Sequence, residues 1–211
     1  MNSLLPDHHS RAFQRLALQL AKIGRQHPEV GPGDPDLIMK KLILRSLMAA
    51  PLLDSQRPIY DVGSGVGIPG IALALAMPEC PVYLIEPKRR SCALARWLLS
   101  GQESSGSRVT VIESTLEKFD FSRLPPGQVV SRAALNLPTL LEWLPAEQQP
   151  VIKWAGDRPD FFPPDWRLKL RVKVCFSGIQ QSFLWAGSPE MFHVKQKEWE
   201  QRAEISWQRQ E

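Results

Sequence analysis

The residues best suited to chemistry lie in one run, Asp61-Val62-Gly63-Ser64-Gly65-Val66-Gly67-Ile68-Pro69-Gly70. It follows a short apolar segment of strand character, Ile59 to Val62, and opens a helical one that starts at Ile71. Glycines at this spacing permit a tight turn with positive φ and let the backbone approach a ligand with no Cβ in the way. Glu86 stands 16 residues beyond Gly70, at the end of the next apolar stretch, Val82 to Ile85. A carboxylate there can accept both hydroxyls of a ribose. Neighbouring strand ends open into one crevice, so loop and acid can face the same nucleoside.

Asp61 narrows the chemistry. Dinucleotide-binding loops carry the spacing GxGxxG, usually with an apolar residue ahead of it. Here Gly63, Gly65, Gly67 and Gly70 give GxGxGxxG, with an acid two residues before Gly63. That is the pattern of S-adenosylmethionine-dependent methyltransferases with the Rossmann-like fold. Their ligand has no pyrophosphate to hold, but it has an ammonium that a carboxylate such as Asp61 can orient. The alternative role for Asp61 is to cap backbone amides of the turn.

The elements that must position these residues follow from periodicity. From residue 58 onward, strands alternate with helices: Ile59 to Val62, Ile71 to Met77, Val82 to Ile85, Arg89 to Ser100, Arg108 to Ile112, Val129 to Ser131, Leu137 to Leu144 and Val151 to Trp154. This order predicts a mostly parallel, doubly wound α/β sheet. Leu168 to Phe176 and Ser182 to Ala186 read as a closing antiparallel pair. Ahead of the sheet, Phe13, Leu16, Leu20 and Ile23 recur at helical spacing, and a second helix is expected from an N-cap at Asp36 to Ala50. The expected division is a helical extension over 1–50, a catalytic domain over 51–194 and a polar frayed helix or tail over 195–211.

Composition excludes several classes. The chain has 211 residues, 43% hydrophobic and 23% charged, enough for one compact domain with a core. A net charge of +4 permits an acidic partner such as RNA without demanding one. Cys80, Cys92 and Cys175 form no CxxC pair, so neither a disulfide scaffold nor a structural zinc or other metal site is expected. No run reaches the ~18 apolar residues of a membrane helix. A cytoplasmic, monomeric protein without a membrane partner is expected.

Further segments carry a resemblance. Leu52 to Leu75 with Gly67-Ile68-Pro69-Gly70-Ile71, Leu84-Ile85-Glu86 with Lys88-Arg89-Arg90, Ser114 to Phe119, Val130-Ser131-Arg132-Ala133 and Ile152 to Gly156 occur in this order. In these blocks the chain resembles the glucose-inhibited division protein B family, the bacterial guanine-N7 methyltransferases of small-subunit rRNA. The resemblance covers about residues 37 to 190. It implies S-adenosylmethionine as cofactor and 16S rRNA or the 30S subunit as partner. It implies cofactor contacts at Gly63 and Ile68, with Leu116 and Glu117 beside the adenine, Arg132 at the edge of cofactor and substrate, and Lys153 near the mouth. Gly65 and Gly67 complete the loop. Departures stand on the acceptor side. The family's Trp-Asn and Asn-Leu-Thr block is absent around Gly24 to Asp34, its His-Asp pair is replaced over Leu42 to Ser46, and Gly127-Gln128 stands where an acid often opens the fourth strand.

Guanine N7 carries a lone pair and no proton to remove, so positioning and exclusion of water suffice and no general base is required. His8, His9, His27 and His193 fall in terminal or loop segments and are expected to be idle. Arg132 is the candidate positioning residue, a planar donor suited to guanine O6, an RNA phosphate or a carboxylate. Its structural alternative is an ion pair with Glu86 or Glu117. Lys88 and Arg89, with Lys153, are candidate substrate contacts. Further cations, Lys40, Lys41, Arg45, Arg90, Arg158, Arg167, Lys169, Arg171 and Lys173, suit RNA phosphates, although such a face is often only solvated. The seven Trp read mostly as core or groove-packing residues, with Trp154 and Trp185, near the pocket edge, as candidates for stacking a base. The rival functions are a divergent protein of the same fold acting on another acceptor or binding the cofactor without catalysis, a nicotinamide-dependent oxidoreductase, and a plain RNA-binding module.

Overall fold

The computed structural model describes residues 10–28, 30–102, 108–132, 135–145, 147–154, 168–176, 178–201 and 205–209. In chain order the elements are α1 (Arg11–Gln26), α2 (Pro35–Ile38), a π-helical turn (Met39–Ile43), α3 (Leu44–Leu47), β1 (Ile59–Val62), α4 (Gly70–Ala76), β2 (Val82–Glu86), α5 (Arg89–Ser100), β3 (Val109–Glu113), β4 (Gln128–Ser131), α6 (Leu137–Trp143), β5 (Val151–Trp154), β6 (Leu168–Phe176), β7 (Ile179–Gly187), α7 (Pro189–Glu200) and β8 (Ile205–Arg209).

One sheet runs β3-β2-β1-β4-β5-β7-β6-β8. Strands β1 to β5 pair in parallel, and β7, β6 and β8 close the sheet antiparallel. The doubly wound reading and the closing pair are both observed. The order reverses at β1, whose neighbours are β2 and β4, and the crevice beyond their carboxyl ends is where such sheets bind ligands. All four β1 residues are buried, so this strand has no solvent face on which register could slip.

Helices cover both faces. The larger core joins α1, α4 and α5 to the sheet, and Phe13, Leu16, Leu20 and Ile23 of α1 are buried in it. Full burial of each such side chain contributes about 1.5–3 kcal/mol before entropy is counted. The smaller core, with Leu137, Leu140 and Leu141 of α6, lies against Tyr60, Val62, Ile85 and Leu116. No described helix is long and apolar enough to cross a membrane.

Three expectations change. Asp34, not Asp36, caps the second helical segment: its carboxylate accepts Asp36 N at 2.8 Å and Leu37 N at 3.0 Å. Pro35, with its fixed φ and no N–H to satisfy, takes the first helical position and moves the cap ahead of it. That segment is also not a uniform α-helix, because Met39–Ile43 forms a π-helical turn. The stretch from residue 195 is no frayed tail. It holds the end of α7 and the edge strand β8, which pairs with β6. Trp199 is fully buried there and donates its indole N–H to Pro51 O at 3.3 Å.

Candidate functional site

The glycine run sits on the carboxyl end of β1. Gly63, Gly65 and Gly67 have φ of 70°, 57° and 96°, a conformation that other residues rarely adopt. At Gly65 an added Cβ would meet nothing within 4 Å, so the loop's outer face there is open. At Gly70 the reverse holds: a Cβ would collide with Leu84 and come within 2.8 Å of the Asp61 carboxylate. That glycine lets α4 begin directly against the sheet.

Both acids are brought to the loop. Glu86, buried at the end of β2, accepts Gly65 N at 2.9 Å through one oxygen and Lys88 N at 2.9 Å through the other. Each oxygen keeps a further lone pair for a ribose hydroxyl. Asp61 is fully buried and accepts Gly70 N at 2.7 Å through Oδ2. It therefore does cap the turn, as one of its two expected roles requires. Its Oδ1 is buried without a hydrogen-bond partner. Burial pushes the Asp61 carboxyl up to about 7, against the Gly70 N–H and the charge of Arg132, while Glu86 adds to the rise.

Two cavities meet at Gly63. The first, about 220 Å³, lies between the ends of β1 and β2, the turn after β3 and helix α6; Leu116 and Glu117 line it, as do Thr115, Thr139 and Trp143. The second, about 350 Å³, faces the glycines; Gly65, Ile68, Lys88 and Arg132 line it, joined by Val30 and Leu42. Gly63, Gly65, Ile68, Leu116, Glu117, Lys88 and Arg132 are thus gathered around one paired cavity. Gly67 serves from behind, since its Cβ position is filled by Ile71.

Arg132 follows β4 and is half-buried. Its guanidinium donates to Lys41 O at 3.3 Å, tying the site to the π-helical turn. Burial and the charge of Arg45 lower its pKa, and Asp61 opposes them. Asp61, rather than Glu86 or Glu117, is the carboxylate that it faces electrostatically. Lys153 on β5 is nine-tenths buried and lines neither cavity. Arg89 is exposed beside Lys88 at the start of α5.

For Trp154 and Trp185 the packing reading holds and the base-stacking alternative does not. Trp154 is buried and donates its indole N–H to Arg45 O at 3.2 Å, and Trp185 is fully buried between Phe192 and Trp199. Both are packing residues because β5 and β7 lie inside the sheet, covered on both faces. Trp143 lines the first cavity instead, together with Thr139, and neither was singled out from sequence. The signal was available: the two are four residues apart on a short helix, hence on one face. His27 lies against Arg90, His193 is exposed, and His8, His9, Arg158, Arg167 and the side chain of Lys169 lie outside the described residues. Lys40, Lys41, Arg45 and Arg90 are exposed on the elements around the second cavity.

A family model described as GidB, rRNA small subunit methyltransferase G, matches residues 9–154. A protein of Mycobacterium sp. (strain JLS) named "Ribosomal RNA small subunit methyltransferase G" is 38% identical over 133 residues, which is 62% of this chain and 57% of that protein. One of the same name from Shigella flexneri is 28% identical over 177 residues, covering 81% of this chain and 84% of the relative. The chain thus spans less than two thirds of the mycobacterial relative's length. Among solved structures, a point mutant of MtNAS in complex with S-adenosylmethionine superposes with a TM-score of 0.53 and 14% identity, over 83% of this chain and 73% of that one. A predicted O-methyltransferase from Agrobacterium tumefaciens gives 0.51 and 16% identity, over 67% and 79%. At such identities the structures establish the fold alone, a Rossmann-like α/β methyltransferase architecture.

Proposed function

The chain belongs to the rRNA small subunit methyltransferase G family, and on that premise we propose that it transfers a methyl group from S-adenosylmethionine to N7 of a guanine in 16S rRNA. One observation carries the cofactor half: the buried Glu86 carboxylate, between Ile85 and Pro87 of the first cavity, fastens Gly65 and Lys88, which line the second. A nucleoside fits there, ribose toward Glu86 and base toward Leu116 and Glu117.

The residues also fit the amino-acid end of the cofactor. Asp61 Oδ1, Ser64 Oγ and Ser131 Oγ are buried without hydrogen-bond partners. Unsatisfied buried polar atoms cost free energy, so three of them in and around one glycine turn suit a polar ligand. Asp61 or Ser64 would receive the ammonium, and Arg132 a carboxylate or the acceptor base. When bound, S-adenosylmethionine supplies an electrophilic methyl on a sulfonium.

The chain's own task is then placement. Guanine N7 attacks through a lone pair, so no side chain has to remove a proton. Arg132, held by Lys41 O, orients the acceptor, and the apolar walls Ile68, Val30 and Leu42 exclude water from the reacting atoms. Lys88, Arg89 and the exposed cations Lys40, Lys41 and Arg45 meet RNA phosphates, while Lys153 supports the strand end from within. Val30 and Leu42 wall the acceptor side in this reading, in the absence of the family's usual N-terminal block. The protein acts as a monomer on naked 16S rRNA or the 30S subunit, in the cytoplasm where that substrate resides.

The reading is tested by mixing the protein with methyl-labelled S-adenosylmethionine and 30S subunits or 16S rRNA from cells lacking the gene. Label in the RNA is expected. Label that stays with the cofactor, although S-adenosylhomocysteine binds, would favour another acceptor or a non-catalytic role.

A further inference from the structure

We propose that Trp143 forms the outer wall of the base slot, with its indole laid against the adenine of bound cofactor. The inference rests on the reading of the site as an S-adenosylmethionine site. Trp143 is 42% exposed, whereas Leu137, Leu140 and Leu141 of the same helix are buried in the smaller core. The helix therefore turns its apolar face inward and holds out Trp143, with Thr139 one turn before it, over the 220 Å³ cavity. The Asn136 side chain fixes that first turn, accepting Thr139 N at 2.9 Å.

Ile85 and Pro87 from the end of β2 and Leu116 from the turn after β3 line the same cavity. Apolar groups and an indole around one cavity suit a flat heterocycle. A second observation points to a base. Thr115 lines the same cavity, and its Oγ1 is buried without a hydrogen-bond partner. A hydroxyl can donate to a ring nitrogen or accept from an exocyclic amine. The acceptor guanine is the other purine of the reaction, but the cations suited to RNA, Lys88 and Arg132, line the second cavity. The slot beneath Trp143 is therefore assigned to the cofactor.

Trp143→Ala and Trp143→Phe are compared with the wild-type chain by calorimetry with S-adenosylhomocysteine, beside thermal unfolding. Stacking of an aromatic side chain on a base predicts affinity weaker by about tenfold or more in Trp143→Ala. Trp143→Phe keeps a π face and is expected within about threefold of wild type. Intrinsic fluorescence of the wild-type chain should change on ligand addition, and that change should be lost in Trp143→Phe, which serves as the readout if Trp143→Ala does not fold. Unchanged affinity in Trp143→Ala, or an unchanged fluorescence response in Trp143→Phe, overturns the assignment. Failure of the wild-type chain to bind S-adenosylhomocysteine would instead overturn the cofactor reading beneath it.

Discussion

The Glu86 carboxylate accepts the backbone N–H of Gly65 at 2.9 Å, so the acid that ends β2 holds the glycine turn that follows β1. Its second oxygen accepts Lys88 N at 2.9 Å. The loop is thus set in shape before any ligand arrives, which reduces the ordering cost of binding.

Glu86→Gln replaces one acceptor oxygen by a donor that faces a backbone N–H. Loss of one charge-assisted bond is expected to lower stability by about 1–3 kcal/mol. Affinity for S-adenosylhomocysteine should fall further than stability alone explains, because the loop's shape is lost with the bond. Thermal unfolding and calorimetry on the same preparation give both numbers. Affinity equal to wild type would mean that Glu86 serves the fold and not the ligand.

Gly65 and Gly70 separate binding from folding. Gly65→Asp has room for its side chain and sits at φ 57°, which Asp tolerates for about 1 kcal/mol. It should fold with a melting temperature near wild type and bind no S-adenosylhomocysteine, since the new carboxylate stands in the cavity. Gly70→Ala drives a methyl into Leu84 and the Asp61 carboxylate, and overpacking of this kind costs about 1–3 kcal/mol. The melting temperature should drop further in that variant than in the first.

Asp61 gives a pH signature. Its carboxyl is raised to about 7 by burial, against about 3.9 in an unfolded chain. The folded protein holds the extra proton between these values. The stability from this group is complete below the unfolded pKa and is lost as pH rises through about 7. Thermal unfolding of the ligand-free chain between pH 5 and 8 should show that decline, and Asp61→Asn should flatten it. A ligand ammonium stabilises the ionised form, so binding below pH 7 should release a proton, seen as a buffer-dependent heat in calorimetry. Equal slopes in wild type and Asp61→Asn would show that Asp61 does not titrate in this range.

Arg132→Ala should fold, because the guanidinium's hydrogen bond is to a single carbonyl on the rim, Lys41 O at 3.3 Å. Methyl transfer to RNA is expected to fall by at least about a hundredfold, by analogy with loss of one preorganised donor. Binding of S-adenosylhomocysteine should weaken less. Transfer at the wild-type rate would show that Arg132 is not the positioning residue.

Much of this site was legible in the sequence, for physical reasons. Short apolar strands separated by glycine and proline signals announce a parallel sheet, and a glycine run between strand and helix can stand only at a strand's carboxyl end. Asp61 and Glu86 followed from that placement. What escaped depends on tertiary context. Trp154 and Trp185 could equally pack the core or edge a pocket until the sheet is seen to extend past them through β7 and β6. Trp143 looks like one more apolar residue of a helix until its neighbours Leu140 and Leu141 are seen to take the core face. The polar composition after residue 195 hides β8, whose exposed edge needs few apolar side chains, and the π-helical turn has no local sequence signal.

Transfer to guanine N7 is tested by the identity of the product nucleoside. 30S subunits from cells lacking the gene are incubated with the protein and methyl-labelled S-adenosylmethionine, the 16S rRNA is digested to nucleosides, and the label is traced by chromatography. Label is expected in 7-methylguanosine from a single position, absent with Gly65→Asp. Label in any other nucleoside, or in protein, would contradict it.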